Sequence, residues 1–155
     1  MKAISIWQPF ATMIVKGYKV YETRGWPAPP SVFGQRIAIA STKVIRPEQR
    51  QHFADPEFQK HYEWLQMPQR IEDMPLGYVL GTVVLDGVEL MTGEFMDGVS
   101  LEEQSYGFWT EGNYAWRLLD PVEFPVPIAV RGGQGLYNWS GLGAIFEEER
   151  EATHP

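Results

Sequence analysis

Apolar and polar positions divide the chain into short segments of contrasting period. Ala3-Ile4-Ser5-Ile6 predicts a strand, and Gln8-Pro9 turns the chain into a helix, since proline suits a first helical turn. Phe10, Ala11, Met13 and Ile14 give that helix an apolar face, and Gly17 ends it. A second strand is expected from Lys19 to Thr23. Its alternation, continued to Arg24, puts Lys19, Tyr21 and Thr23 on one face and Val20, Glu22 and Arg24 on the other. Residues 27–31 carry three prolines and predict a rigid loop. The apolar run 36–41 predicts a buried strand, 47–66 a helix, and the β-branched run 77–85 a central strand. Residues 114–119 predict a strand before Asp120-Pro121, and 122–130 an extended segment held out of helix by Pro125 and Pro127. Gly132-Gly133-Gln134-Gly135 predicts a tight turn leading into Leu136-Tyr137-Asn138-Trp139. Short strands with interspersed helices point to an α+β domain built on a small, largely antiparallel β-barrel with flanking helices.

Length and composition narrow this. A chain of 155 residues with 44% hydrophobic content suits one domain, expected over 1–146, with the acidic run at 147–155 as a frayed tail. The absence of cysteine excludes disulfides, thiolate nucleophiles and Cys-type zinc sites. His52, His61 and His154 lack metal-ligand spacing, so neither a metal site nor a cofactor is expected. The apolar run at the N-terminus is too short for a signal peptide and no stretch is long enough for a membrane span, which gives a cytoplasmic expectation.

Charge changes the picture more. The net charge of −7 argues against sequence-blind binding to a phosphate backbone. Up to residue 50, however, eight basic residues face two acidic ones, and beyond it five face eighteen. That division suggests a locally positive site on an acidic body, suited to an anion or a short nucleic-acid segment.

Ile4-Ser5-Ile6-Trp7-Gln8-Pro9-Phe10-Ala11, followed by Gly17-Tyr18-Lys19-Val20-Tyr21-Glu22-Thr23-Arg24-Gly25-Trp26, resembles the activating-signal-cointegrator-1 homology (ASCH) family. Residues 34–40, 77–85, Tyr114-Ala115-Trp116, Pro125 and 135–139 extend the resemblance over most of the chain. It implies a PUA-like β-barrel with flanking helices, in a superfamily often associated with RNA. It also implies two candidate functions, since some members resemble nucleic-acid-binding modules and others are amidohydrolases acting on acylated cytidines; ribonuclease activity is also attached to the family.

Read together with that resemblance, the residues favour binding. Arg24 offers a planar donor fork for phosphate or a base edge, Lys19 a point charge whose pKa falls on desolvation, and Glu22 an acceptor for an exocyclic amine or a partner for Arg24. A Glu22–Arg24 pair that merely closes a strand end is the structural alternative. Among Trp7, Trp26, Trp116 and Trp139, Trp26 is singled out for base stacking because it follows the charged segment. Gln8 is expected to contact ligand or the nearby backbone, and Arg36 and Lys43 extend the positive rim. The resemblance implies that the amidohydrolases use a lysine, a threonine and a distant glutamate. Lys19 matches the lysine, Glu22 stands where the threonine belongs, Thr23 is offset by one, and Glu94, Glu102 and Glu103 are candidates for the glutamate. A variant mechanism would use Lys19 and Glu22 as the catalytic pair. The expectation is therefore an RNA- or nucleotide-binding domain whose partners are RNA, single-stranded nucleic acid or a nucleotide. The alternatives are a hydrolase of a modified cytidine and a protein-interaction module using the acidic surface.

Overall fold

The computed structural model describes residues 1–141, so the acidic run at 147–155 lies outside the described residues. Six strands form one mixed sheet: β1 (Lys2–Ile6), β2 (Tyr21–Arg24), β3 (Gln35–Ser41), β4 (Tyr78–Leu90), β5 (Tyr114–Ala129) and β6 (Leu136–Asn138). Their order is β2-β5-β4-β3-β1-β6, and the sheet curls into a half-barrel that leaves β2 and β6 as its edges. Only β1 and β3 pair in parallel, Ala3 opposite Ala38 and Ser5 opposite Ala40.

β3 explains the unbroken apolar run of its sequence. Ile37 and Ile39 pack into the main core with Ile4, Ile6 and the first helix, while Ala38 and Ala40 face a smaller cluster with Ala3, Val79 and Trp139. Both faces are covered, so alternation of size replaces alternation of polarity. Helix α1 (Phe10–Val15) is buried on every side, without the polar face expected of a surface helix. Gly17, at φ +81°, ends the turn that follows it.

Three expectations are corrected. The helix over 47–66 is two, α2 (Pro47–Ala54) and α3 (Pro56–Tyr62). Pro56 drives Asp55 into extended backbone, and the Asp55 carboxylate then accepts from the amides of Glu57 at 2.9 Å and Phe58 at 3.4 Å, starting a new helix. Asp120-Pro121 does not end a strand, because Asp120 takes φ 57° and β5 continues for sixteen residues against β4 through a shifted register. At another register shift of this pair, Gly81 is required: a Cβ there would sit 2.1 Å from the Val122 carbonyl oxygen. Finally, two short helices, α4 (Gly93–Asp97) and α5 (Leu101–Ser105), follow β4 where no helix was expected.

Candidate functional site

The turn after α1 places the charged segment. The amides of Tyr18 and Lys19 both donate to the Met13 carbonyl, so residues 17–20 wrap the helix end and β2 begins only at Tyr21. Lys19 is therefore not part of the strand alternation. Its side chain runs inward, 1% exposed, with Nζ 5.4 Å from the centre of the Phe10 ring and 3.8 Å from Glu103 Oε2. That distance is too long for a hydrogen bond, and both atoms are buried without a partner. Glu103 comes from α5, where its other oxygen accepts from the Val20 amide at 2.9 Å. Burial pushes the Lys19 ammonium below its ordinary value and the Glu103 carboxyl above its own, each shift partly offset by the opposite charge.

The loop 106–108 folds over edge strand β2, with the Phe108 amide donating to Thr23 Oγ1 at 3.3 Å. A Cβ built on Gly107 would lie 3.2 Å from both Lys19 Nζ and Thr23 Oγ1. Lys19 and Thr23 thus flank Gly107, and Glu103 reaches Lys19 from α5.

On the far side of Gly107 lies an open cavity of about 450 Å³, walled by Glu22, Thr23 and Arg24 on β2, by Trp7 and Phe108, and by the 133–135 turn. Trp7 and Phe108 meet edge to face with centroids 6.0 Å apart. Arg24 Nη2 donates to the Ser5 carbonyl at 2.9 Å and to Glu22 Oε2 at 3.2 Å, while Glu22 Oε1 accepts from the Thr23 amide at 3.0 Å. Arg24 Nε is buried with no acceptor. A second cavity of about 350 Å³ adjoins the first, sharing Ser5, Trp7, Thr42, Gly133 and Gln134, and is lined by Lys43, Arg46 and Arg131.

Two single-residue mutants and the parent form of one solved protein share this architecture. The ASCH structure from Zymomonas mobilis aligns over 96% of this chain and 93% of its own, with a TM-score of 0.58 and 19% identity. The mutants give TM-scores of 0.55 and 0.51 at 20% and 19% identity, again over 96% of this chain and over 94% and 96% of theirs. This chain has the ASCH fold. No family model and no curated protein matches the sequence.

Within the ASCH fold the expected site residues separate into groups. Glu22 and Arg24 line the first cavity and Lys43 the second, whereas Lys19 lies behind the cavity wall. Gln8 is fully buried: its side chain donates to Thr12 Oγ1 and the Pro75 carbonyl and accepts from the Thr12 amide, so it braces the start of α1 and faces no cavity. Arg36 lines neither cavity and instead donates to Thr82 Oγ1 and the Asp120 carbonyl, bracing the kink in β5. Trp26 packs edge to face on Trp116 at 4.9 Å and takes the Trp116 Nε1 hydrogen bond on its carbonyl; the aromatic at both cavities is Trp7. Among the three candidate glutamates the fold brings Glu103 to Lys19. Its signal was Ser100-x-x-Glu103, a helix-start pattern, in which the Ser100 hydroxyl accepts from the Glu103 amide at 3.1 Å. Among the described residues no helix is long and apolar enough to cross a membrane.

Proposed function

We propose that the first cavity binds the nucleoside portion of an RNA or nucleotide ligand. The observation that carries this reading is the Glu22–Arg24 pair. It lines a cavity of nucleoside size that Trp7 and Phe108 also line, and one of its donors, Arg24 Nε, is buried and unpartnered. A carboxylate beside a guanidinium offers acceptor and donor together, the complement of a base edge that carries an amine next to a carbonyl or ring nitrogen. Aromatic walls supply stacking that tolerates different bases. Calorimetric titration with the four ribonucleosides and with short RNAs tests it. Arg24→Ala should weaken binding by roughly ten- to a hundredfold while the melting temperature holds, and Arg24→Lys should rescue only part of it. If Arg24→Ala unfolds the protein, or leaves the affinity for a bound nucleoside intact, the pair is structural and the reading fails.

The meeting of Lys19, Thr23 and Glu103 favours a second reading, hydrolysis of an N-acylated cytidine in the same cavity. Thr23 would present its hydroxyl to the substrate, and the Lys19 amine behind it, its basicity lowered by burial, would serve as base beside the Glu103 carboxyl. Release of free cytidine, followed by chromatography, should be lost in both Thr23→Ala and Lys19→Met. Retention in either variant would rule this reading out.

A further inference from the structure

The distribution of unpaired positive charge is uneven in a way that the first cavity does not explain. Among the described residues most basic side chains are held in ion pairs with Asp or Glu. Those that are not are Lys2, Lys43, Arg46 and Arg131, and three of these four line the second cavity. Among the described residues no carboxylate lines it. On a chain of net charge −7, where acidic partners are abundant, three unneutralised cations around one concavity concentrate positive potential at one place.

They come from separate parts of the fold. Lys43 and Arg46 follow β3 as the chain approaches α2, and Arg131 follows β5. The two cavities adjoin along Ser5, Trp7 and Thr42, which line both, and Thr42 Oγ1 is buried without a hydrogen-bond partner. A bare glycine pair forms the opposite side. Gly132 takes φ +82°, and a Cβ on Gly133 would stand 3.0 Å from the Tyr137 ring. The shared lining sets the three cations next to the cavity that Glu22 and Arg24 wall.

We propose that the second cavity is a phosphate subsite, so that the ligand of this protein is a nucleotide carrying a phosphate on its sugar rather than a free nucleoside. This rests on the base-binding reading of the first cavity and names the class of ligand it takes. Two arginine forks and a lysine suit the oxygens of a phosphate, and a terminal monoester, with its second negative charge, draws more from them than an internal diester.

Calorimetric titration of the intact protein with each ribonucleoside, its 5′- and 3′-monophosphates, a dinucleoside monophosphate without terminal phosphate, and ribose 5-phosphate tests the proposal. A monophosphate should bind roughly tenfold or more tightly than its nucleoside at low salt, with the ratio falling as salt is raised. The ratio should collapse toward one in Arg46→Ala/Arg131→Ala, whereas Arg24→Ala should weaken nucleoside and nucleotide alike. Comparison of the monophosphates with the dinucleoside distinguishes a terminal phosphate from the backbone of an RNA. Nucleosides and monophosphates that bind equally would overturn the phosphate subsite and leave the base reading standing. Ribose 5-phosphate binding that depends on Arg46 and Arg131, with no added affinity from any base, would support the subsite and defeat the base reading. A ratio unchanged in the double variant would also overturn the subsite, and so would the absence of any binding.

Discussion

Removing the buried Lys19–Glu103 pair should not cost the protein its stability. At 3.8 Å and an effective dielectric of about 20, the attraction between the two charges is about 4 kcal/mol. Withdrawing each ion from water costs several kcal/mol, and neither Lys19 Nζ nor Glu103 Oε2 recovers a hydrogen bond in exchange. Lys19→Met with Glu103→Gln keeps the volume and, through the amide oxygen, the acceptor for the Val20 amide. It should therefore match the parent or exceed it by up to about 4 kcal/mol, at about 2–4 °C of Tm per kcal/mol. Lys19→Met alone should behave differently. It removes the charge that pulled the Glu103 carboxyl down and leaves the burial that pushes it up from 4.5. The folded state then holds a proton that the unfolded chain releases. Stability is fully present below pH 4.5 and falls by about 1.4 kcal/mol per pH unit as pH rises from there to the folded-state pKa, levelling off beyond it. Thermal melts at pH 5, 6.5 and 8 should thus show the single and double variants close together at pH 5 and diverging upward. A double variant that melts well below the parent at every pH, or a single variant whose deficit ignores pH, would refute the argument that desolvation outweighs attraction here.

Two further outcomes follow from the placement of the aromatic and capping residues. Trp7→Ala, which removes a cavity wall packed on the core, should lower both nucleotide affinity and Tm, whereas Trp26→Ala, which removes the edge-to-face packing on Trp116, should lower Tm and leave affinity nearly unchanged; titration and melting of both variants check the division. Asp55→Ala removes the acceptor for the first amides of α3 and should destabilise the protein by about 0.5–2 kcal/mol, read from chemical denaturation.

The parts of the fold that were legible in the sequence are those where one local pattern decides the outcome. Residues 36–41 and 77–85 read as strands because their centres, 37–40 and 79–83, are buried on both faces and are mainly apolar and β-branched. The break at Asp55-Pro56 was written in the chain as cap and first-turn proline, but a single helix was expected across it. The continuation of β5 through Asp120-Pro121 was not legible, since it depends on a left-handed backbone at Asp120 that the Arg36 guanidinium supports from another strand. In the site, Glu22 and Arg24 were readable because they sit two residues apart in one strand. Lys19 was readable as a residue and not as an environment. Its partner Glu103 arrives from a helix far along the chain, and its departure from the strand alternation comes from a turn whose bonds are made to the end of α1.

The pairing of β1 with β6 sets the order in which the site can be assembled. Lys2, Ala3 and Ile4 stand opposite Asn138, Tyr137 and Leu136, and the Ser5 hydroxyl meets that of Tyr137 at 2.9 Å. Contacts of such sequence separation close the longest loop in the described chain, and loop entropy makes them late events in folding. The glycine turn that walls both cavities is carried between β5 and β6, so neither cavity exists until this last strand has docked. A partly folded chain can hold both residues of the Lys19–Glu103 pair in place and still lack both cavities.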